Sequence, residues 1–124
     1  MQPLIIKPTQ KSLSVILKDG ELNFSGCSIN NDPKNFFTPI MKWVEKYGEN
    51  PSEITTVNVK FEYIDSASVK SFYEVLRELK NYTRFKKLTV NWHFDFNDPE
   101  ILELGEIIQS KLNLEFTFID YKGE

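Results

Sequence analysis

The residues of this chain that are best placed to do chemistry stand together in the stretch YIDSASVKSFYEVL, residues 63–76. Asp65 is followed by two hydroxyl residues, Ser66 and Ser68, and then by Lys70. A serine hydroxyl can accept a phosphoryl group, which adds about −1.5 to −2 charges and strong acceptor oxygens. Asp65 would oppose that charge, and Lys70, one helical turn further on, would help to neutralise it. These residue types make Ser66 and Ser68 candidates for phosphorylation.

A strand that turns into a helix must position these side chains. The β-branched, alternating residues 53–64 predict a strand, and apolar residues at helical spacing over 66–82 predict a helix. A helix start carries unpaired N–H groups and the positive end of the helix dipole, so anions bind well there. The same position favours Asp65 or Ser66 as a simple helix cap. Both interpretations, a cap and a phosphorylated hydroxyl, are open from these residues alone.

The remaining elements alternate in type along the chain. Strands are predicted over residues 3–7, 12–18, 21–26, 53–64, 86–96 and 114–120. The Asp19-Gly20 pair predicts an antiparallel hairpin over 12–25. The order βββαβαβαβ predicts an α/β fold, with one mixed sheet of about six strands, an N-terminal antiparallel hairpin region, a parallel βαβαβ part and three main helices.

Two predicted helices begin with an Asp-Pro pair, because Asp caps a helix and Pro suits its first turn. These pairs are Asp32-Pro33 and Asp98-Pro99. Pro39 interrupts the first pattern, since an interior proline removes a hydrogen bond. It predicts either a kink or a helix that begins near Thr38. The aromatic residues Phe36, Phe37, Trp43 and Trp92 are expected in the core.

Length and composition narrow the class of protein. A chain of 124 residues fits a single domain, 1–124, and 14% aromatic residues favour a packed globule. The net charge of −3 without a basic cluster argues against nucleic-acid binding. No apolar run approaches the roughly 20 residues that span a bilayer, and the N-terminus does not resemble a signal peptide. We therefore expect a cytoplasmic protein without nucleic-acid or membrane partners.

A metal or catalytic site has weaker support. His93 and Asp95 share one face of a predicted strand, but one histidine without a second nitrogen or sulfur ligand makes a poor zinc site. Cys27 is the only cysteine, and a catalytic thiol would need a partnered base. We expect no metal and no cofactor. A small enzyme that uses acidic residues near His93 and Asp95 remains an alternative.

The segment around Ser66 resembles the phosphorylation segment of STAS-type anti-sigma-factor antagonists, where Asp-Ser-Ser-Gly follows an apolar strand and opens a helix. The phosphorylated serine of that family corresponds to Ser66, while Val69 stands in place of the glycine.

A resemblance over nearly the whole chain is to the SiaC family of regulatory phosphoproteins, a STAS-like group. The sequence motifs of that family have counterparts in this chain in the same order. These are the Asp-Gly hairpin and the stretches GCSINNDPKNFFTPIMKWVEKY, FEYIDSASVK and VNWHFDFNDPEILELGE. The family's phosphoacceptor hydroxyl corresponds to Ser66. This chain departs from the family stretch in three places, since Asp65 replaces Asn, Ser66 replaces Thr and Ala67 replaces Ser.

The SiaC resemblance implies a non-enzymatic protein that switches partners according to phosphorylation. A kinase of the anti-sigma type would phosphorylate Ser66, a PP2C-type phosphatase would reverse this, and Asp65, Ser68 and Lys70 would flank the site and contact partners. Family members are linked to biofilm and cyclic-di-GMP signalling, in which the unphosphorylated form engages a diguanylate cyclase. A constitutive scaffold without phosphate control is the other alternative.

Overall fold

The computed structural model describes residues 1–29 and 32–121. Asn30 and Asn31, which belong to the SiaC-like stretch, lie outside the described residues. In the described part the elements are, in chain order, β1 (Leu4–Ile6), β2 (Ser14–Lys18), β3 (Glu21–Ser28), α1 (Pro33–Tyr47), β4 (Ile54–Ile64), α2 (Ser66–Tyr82), β5 (Lys87–Asp95), α3 (Pro99–Leu112) and β6 (Glu115–Tyr121).

All six strands belong to one sheet, and their order in the sheet is their order in the chain. β1 pairs with β2 and β2 with β3 in antiparallel fashion, whereas β3, β4, β5 and β6 are parallel neighbours. Gly20 has a φ of 81° in the turn between β2 and β3, where glycine adopts a positive φ without steric strain. The predicted mixed α/β fold, the hairpin and the order βββαβαβαβ are confirmed.

One face of the sheet carries the core. Val57, Val59 and Phe61 of β4 are buried, while Asn58 and Lys60 between them point to the other face. Buried side chains from the three helices join the buried strand residues in one apolar cluster, and α2 contacts both α1 and α3. The protein therefore has two layers, with α2 as the central helix and its first residue at the end of β4.

The opposite face of the sheet carries a ladder of asparagines. Asn23, Asn58 and Asn91 stand side by side on β3, β4 and β5. The Asn58 side-chain amide donates to Asn23 Oδ1 at 2.9 Å, and the Asn91 amide donates to Asn58 Oδ1 at 2.9 Å. A shift by one residue in any of these strands would break the ladder, so it stabilises the observed register.

Both Asp-Pro pairs start helices as predicted. Asp32 Oδ1 accepts a hydrogen bond from the Asn35 amide at 3.2 Å, and Asp98 Oδ1 accepts one from the Ile101 amide at 3.4 Å. Each proline occupies the first turn, where its missing N–H would have had no helical partner.

Pro39 lies inside α1, so the alternative of a helix that begins near Thr38 is wrong. The cap at Asp32 starts the helix earlier, and packing of its apolar side then outweighs the bond that the proline lacks. The hydroxyl of Thr38, directly before the proline, donates to the Lys34 carbonyl oxygen at 2.6 Å.

Trp92 is the centre of the aromatic core. Its side chain is fully buried, and the Phe61 and Phe116 rings lie 5.6 and 5.9 Å away between centroids. The indole N–H donates to the Ile101 carbonyl oxygen at 2.9 Å. Phe37 and Trp43 are buried as expected, and Phe36 is partly buried against the core.

We expect Gly105→Ala to destabilise the fold. A Cβ at Gly105 would lie 2.6 Å from two atoms of the buried Trp92 indole, so α3 would have to move away from the sheet. Overpacking of this kind costs about 1–3 kcal/mol, more than the roughly 0.5–1 kcal/mol by which alanine favours a helix over glycine. A lower urea midpoint checks this; Glu106→Ala, at the exposed next position, is the control and should not lower it.

His93 lies on the asparagine-bearing face, beside Lys60 in the register of β4 and β5. Burial, and secondarily the charge of Lys60, lower the pKa of His93 below its ordinary value of 6.5. The native state therefore binds this proton less readily than the unfolded chain does.

Stability should fall as pH falls below the ordinary histidine pKa, because the unfolded state takes up the proton first. We expect the free energy of unfolding of the native sequence to decrease between about pH 7.5 and pH 5.5. His93→Gln should flatten that part of the profile, and urea titrations at each pH measure it. His93 is the only histidine, so an equally steep decrease in the variant would contradict this assignment.

Candidate functional site

Ser66 is the first residue of α2, and its side chain is exposed to solvent. Asp65 is the cap: its backbone is extended, with φ −79° and ψ 165°, and its Oδ1 accepts the Ser68 amide at 2.9 Å. The Val69 amide donates to the Asp65 carbonyl oxygen at 2.9 Å, which closes the first helical turn. Because the carboxylate of Asp65 caps the helix, the hydroxyl of Ser66 is left at the surface.

Ser68, the second candidate, faces the interior. Its side chain is 0% exposed, and its Oγ accepts a hydrogen bond from Ser28 Oγ at 2.8 Å. A phosphoryl group would not fit at this oxygen unless the helix start came away from the sheet. Ser66 and Ser68 are the two candidate hydroxyls, and only that of Ser66 is accessible to another protein in this fold.

Lys70 lies one helical turn after Ser66 and is exposed. Residues four positions apart share a helix face, so an ammonium group at Lys70 can approach an anion at Ser66. The first-turn amides and the helix dipole favour a negative charge at the same place. The negative charge of the Asp65 carboxylate disfavours a second anion at Ser66.

A cleft of about 350 Å³ opens beside Ser66. β4 pairs with β5 as far as Lys60 and His93, but β4 itself continues to Ile64. The cleft lies between that end of β4 and the starts of α2 and α3; its lining residues are Glu62, Tyr63, Ile64, Ser66, Val69, Asp98, Glu100, Ile101 and Leu104. Apolar side chains form one part of the lining and three carboxylates form another, so a charge placed on Ser66 enters an already acidic surface.

A β-bulge in β4 directs Tyr63 outwards. Gly26 of β3 pairs with Phe61, but Cys27 pairs with Tyr63, so the pairing skips Glu62. Regular alternation would place Tyr63 on the same face as the buried Phe61. Instead Tyr63 is 52% exposed and lines the cleft with Ser66.

Two further apolar side chains are exposed at this edge of the sheet. Ile29 follows β3 and is 48% exposed, and Phe96 follows β5 and is 67% exposed. The carboxyl ends of parallel neighbouring strands lie at one edge, so Ile29, Tyr63 and Phe96 share the edge at which α2 begins. Aromatic side chains are enriched among the residues that dominate binding energy at protein interfaces. The sequence did not single out these three residues, because each follows an ordinary strand pattern.

The other polar groups considered from the sequence do not assemble into a reactive centre. Among residues 1–29 and 32–121, no group of three or more His, Cys, Asp or Glu side chains is arranged to hold a metal ion. His93 and Asp95 are not among the residues that line the cleft. The Cys27 thiol lies 3.6 Å from Glu62 Oε2, and burial, followed by this carboxylate, raises the pKa of Cys27, which disfavours the reactive thiolate. No helix within the described ranges is long and apolar enough to cross a bilayer.

Comparisons with known structures identify the fold. SiaC of Pseudomonas aeruginosa superimposes with a TM-score of 0.87 at 20% identity, over 98% of this chain and 100% of the other. SiaC in the crystal structure of the diguanylate cyclase SiaD with its activator SiaC, from the same organism, superimposes with a TM-score of 0.85 at 20% identity, over 95% and 99% of the two chains.

Sequence comparisons agree with the structural ones. An uncharacterised protein of Pseudomonas aeruginosa is 23% identical over 101 residues, which cover 78% of each chain. The family model described as "SiaC family regulatory phosphoprotein" matches residues 6–121, which include every strand and helix after β1. The chain therefore belongs to the SiaC family of regulatory phosphoproteins.

Proposed function

We propose that this chain is a non-enzymatic phosphoprotein of cyclic-di-GMP and biofilm regulation, and that it exchanges protein partners when Ser66 is phosphorylated. One observation carries the proposal: an exposed hydroxyl stands on the first residue of a helix whose cap is a different side chain. Residues 1–124 act as one regulatory domain in the cytoplasm. Neither a cofactor nor a metal takes part.

The reaction at Ser66 is a phosphoryl transfer from a nucleoside triphosphate held by a kinase of the anti-sigma type. A bond forms between Ser66 Oγ and the γ-phosphorus, the bond to the bridging oxygen breaks, and the nucleoside diphosphate leaves. The hydroxyl proton passes to a base of the kinase. A PP2C-type phosphatase returns the hydroxyl by hydrolysis.

Phosphorylation changes the surface rather than the fold. The amides of the first turn and the helix dipole accommodate the phosphate, and Lys70 lies one turn away. The added charge of about −1.5 to −2 joins the carboxylates of Glu62, Asp98 and Glu100 around the cleft. A partner that packs on this edge therefore meets a larger hydrated anion and a stronger negative field after modification.

The unphosphorylated form is the one that binds a diguanylate cyclase. A diguanylate cyclase as the partner is supported by the solved complex in which the related SiaC is named as the activator of SiaD. The exposed side chains of Tyr63, Phe96 and Ile29 give the Ser66 edge an apolar surface of the kind that protein partners cover. Asp65 and Lys70 contribute charged contacts at its margin.

Incubation of the full chain with its kinase and ATP should add about 80 Da, the mass of one phosphoryl group. Ser66→Ala should abolish the addition, because no other hydroxyl of the 65–70 segment is accessible. Intact-mass measurement checks both results. Ser110→Ala, an exposed helical serine on α3, is the matched control and should be phosphorylated as the native chain is. A persistent addition in Ser66→Ala would show that another residue is the acceptor.

Two isosteric variants test whether charge at this position controls binding. Ser66→Glu should bind the diguanylate cyclase of the same organism about tenfold more weakly than Ser66→Gln, because only the first adds a like charge to the acidic cleft. Titration calorimetry at one salt concentration measures both affinities. Equal affinities for the two variants would favour a constitutive scaffold over a switch.

A further inference from the structure

Ser28, the last residue of β3, makes two contacts with the segment that carries Ser66. Its carbonyl oxygen accepts the Asp65 amide at 3.0 Å, and its hydroxyl donates to Ser68 Oγ at 2.8 Å. Ser28 is 1% exposed and Ser68 is 0% exposed, so water does not compete for either group. One residue of the neighbouring strand thus holds both ends of the four-residue segment 65–68.

A third hydrogen bond joins the same two ends directly. The Asp65 carboxylate accepts the Ser68 amide at 2.9 Å. Ser28, Asp65 and Ser68 therefore form a closed ring of hydrogen bonds, and Ser66 projects from it to solvent. Helix starts commonly fray, because their first amides have no partner within the helix. Here the first turn is tied to the sheet by buried bonds.

The bulge between β3 and β4 brings Ser28 to this position. Beyond the skipped Glu62, Ser28 stands opposite Ile64, the residue directly before the cap. Gly26 has a φ of 100°, which glycine adopts without strain and which re-aims the end of β3. Ser28 is thereby the residue of β3 that lies beside the junction between β4 and α2.

We propose that Ser28 is a positioning residue for the phosphorylation of Ser66, which it serves by fixing the first turn of α2 through Ser68. The inference rests on the proposed function of Ser66 as phosphoacceptor. In phosphoryl transfer the attacking oxygen must be in line with the leaving oxygen, and a misplacement of about 1 Å can lower the rate about a hundredfold. A hydroxyl on a fraying turn would occupy that place for only part of the time.

Ser28→Ala removes the hydroxyl tie and keeps the backbone bond to Asp65. The kcat for phosphorylation of Ser66 by its kinase should fall about tenfold, while KM for this chain stays within about twofold, because the outer surface of the edge is unchanged. Hydrogen exchange at the Ser68 and Val69 amides should become faster, since these amides donate to Asp65 in the first turn.

Thr55 offers a matched control at the opposite end of β4 from Ser66. The Thr55 hydroxyl is fully buried and lies 2.7 Å from the Tyr47 hydroxyl, near the beginning of β4. Thr55→Val removes a buried hydroxyl bond of the same kind, far along the strand from Ser66. It should lower stability but leave kcat, KM and the exchange of the Ser68 amide at their native values.

The double variant Ser28→Ala/Ser68→Ala separates positioning from stability. Removing both hydroxyls leaves no buried polar group without its partner, so the urea midpoint should return close to the native one. The hydrogen bond between residues 28 and 68 is still absent, so kcat for phosphorylation should stay low. Recovery of kcat together with stability would overturn the inference, as would a rise in KM with unchanged kcat, or equal kinetics for Ser28→Ala and Thr55→Val.

Failure of the proposed function gives a different result. In that case the native chain itself takes no phosphate on Ser66, and the kinetic comparison of variants has no baseline. When the native chain is phosphorylated at Ser66 and only the Ser28 comparison fails, the acceptor stands and the positioning role is rejected.

Discussion

The hydrogen bond from the Ser68 amide to the Asp65 carboxylate is the contact on which the site depends. It makes Asp65 the cap, so Ser66 begins the helix with an unused hydroxyl at the surface. If Ser66 were the cap, its oxygen would accept an amide, and α2 would begin one residue later. The Asp65 cap thus leaves the Ser66 oxygen out of the hydrogen bonds of the first turn, while Ser68 packs against Ser28.

The parallel strands place the other residues of the site close to the start of α2. The carboxyl ends of β3, β4 and β5 carry Ile29, Tyr63 and Phe96 to one edge, and the starts of α2 and α3 lie at the same edge. The bulge at Glu62 adds the outward turn of Tyr63. Apolar contact area, carboxylates and an accessible hydroxyl are consequently adjacent, although they come from separate parts of the chain. A single charge change at Ser66 can therefore affect a whole docking surface.

Local sequence patterns predicted most of the fold. The Asp19-Gly20 turn, the Asp-Pro helix starts and the bounds of α2 depend on residues that are neighbours in the chain, and each was recognisable from spacing alone. One of the two alternatives at Pro39, a helix that begins near Thr38, is wrong because packing and an early cap outweigh one missing hydrogen bond. The bulge, the exposure of Tyr63 and the Ser28–Ser68 pair depend on how β3 aligns with β4. That alignment joins residues about 40 positions apart, and no short pattern encodes it.

The strand order of the sheet bears on how the chain folds during synthesis. Each new strand adds beside the one made just before it, so no strand has to wait for a distant segment or be inserted between two others. Pairings of this kind keep the loops to be closed short, which favours rapid folding. Once residue 82 has left the ribosome, β3, β4 and α2 have all emerged, and the Ser66 junction can form its contacts with them before β6 emerges.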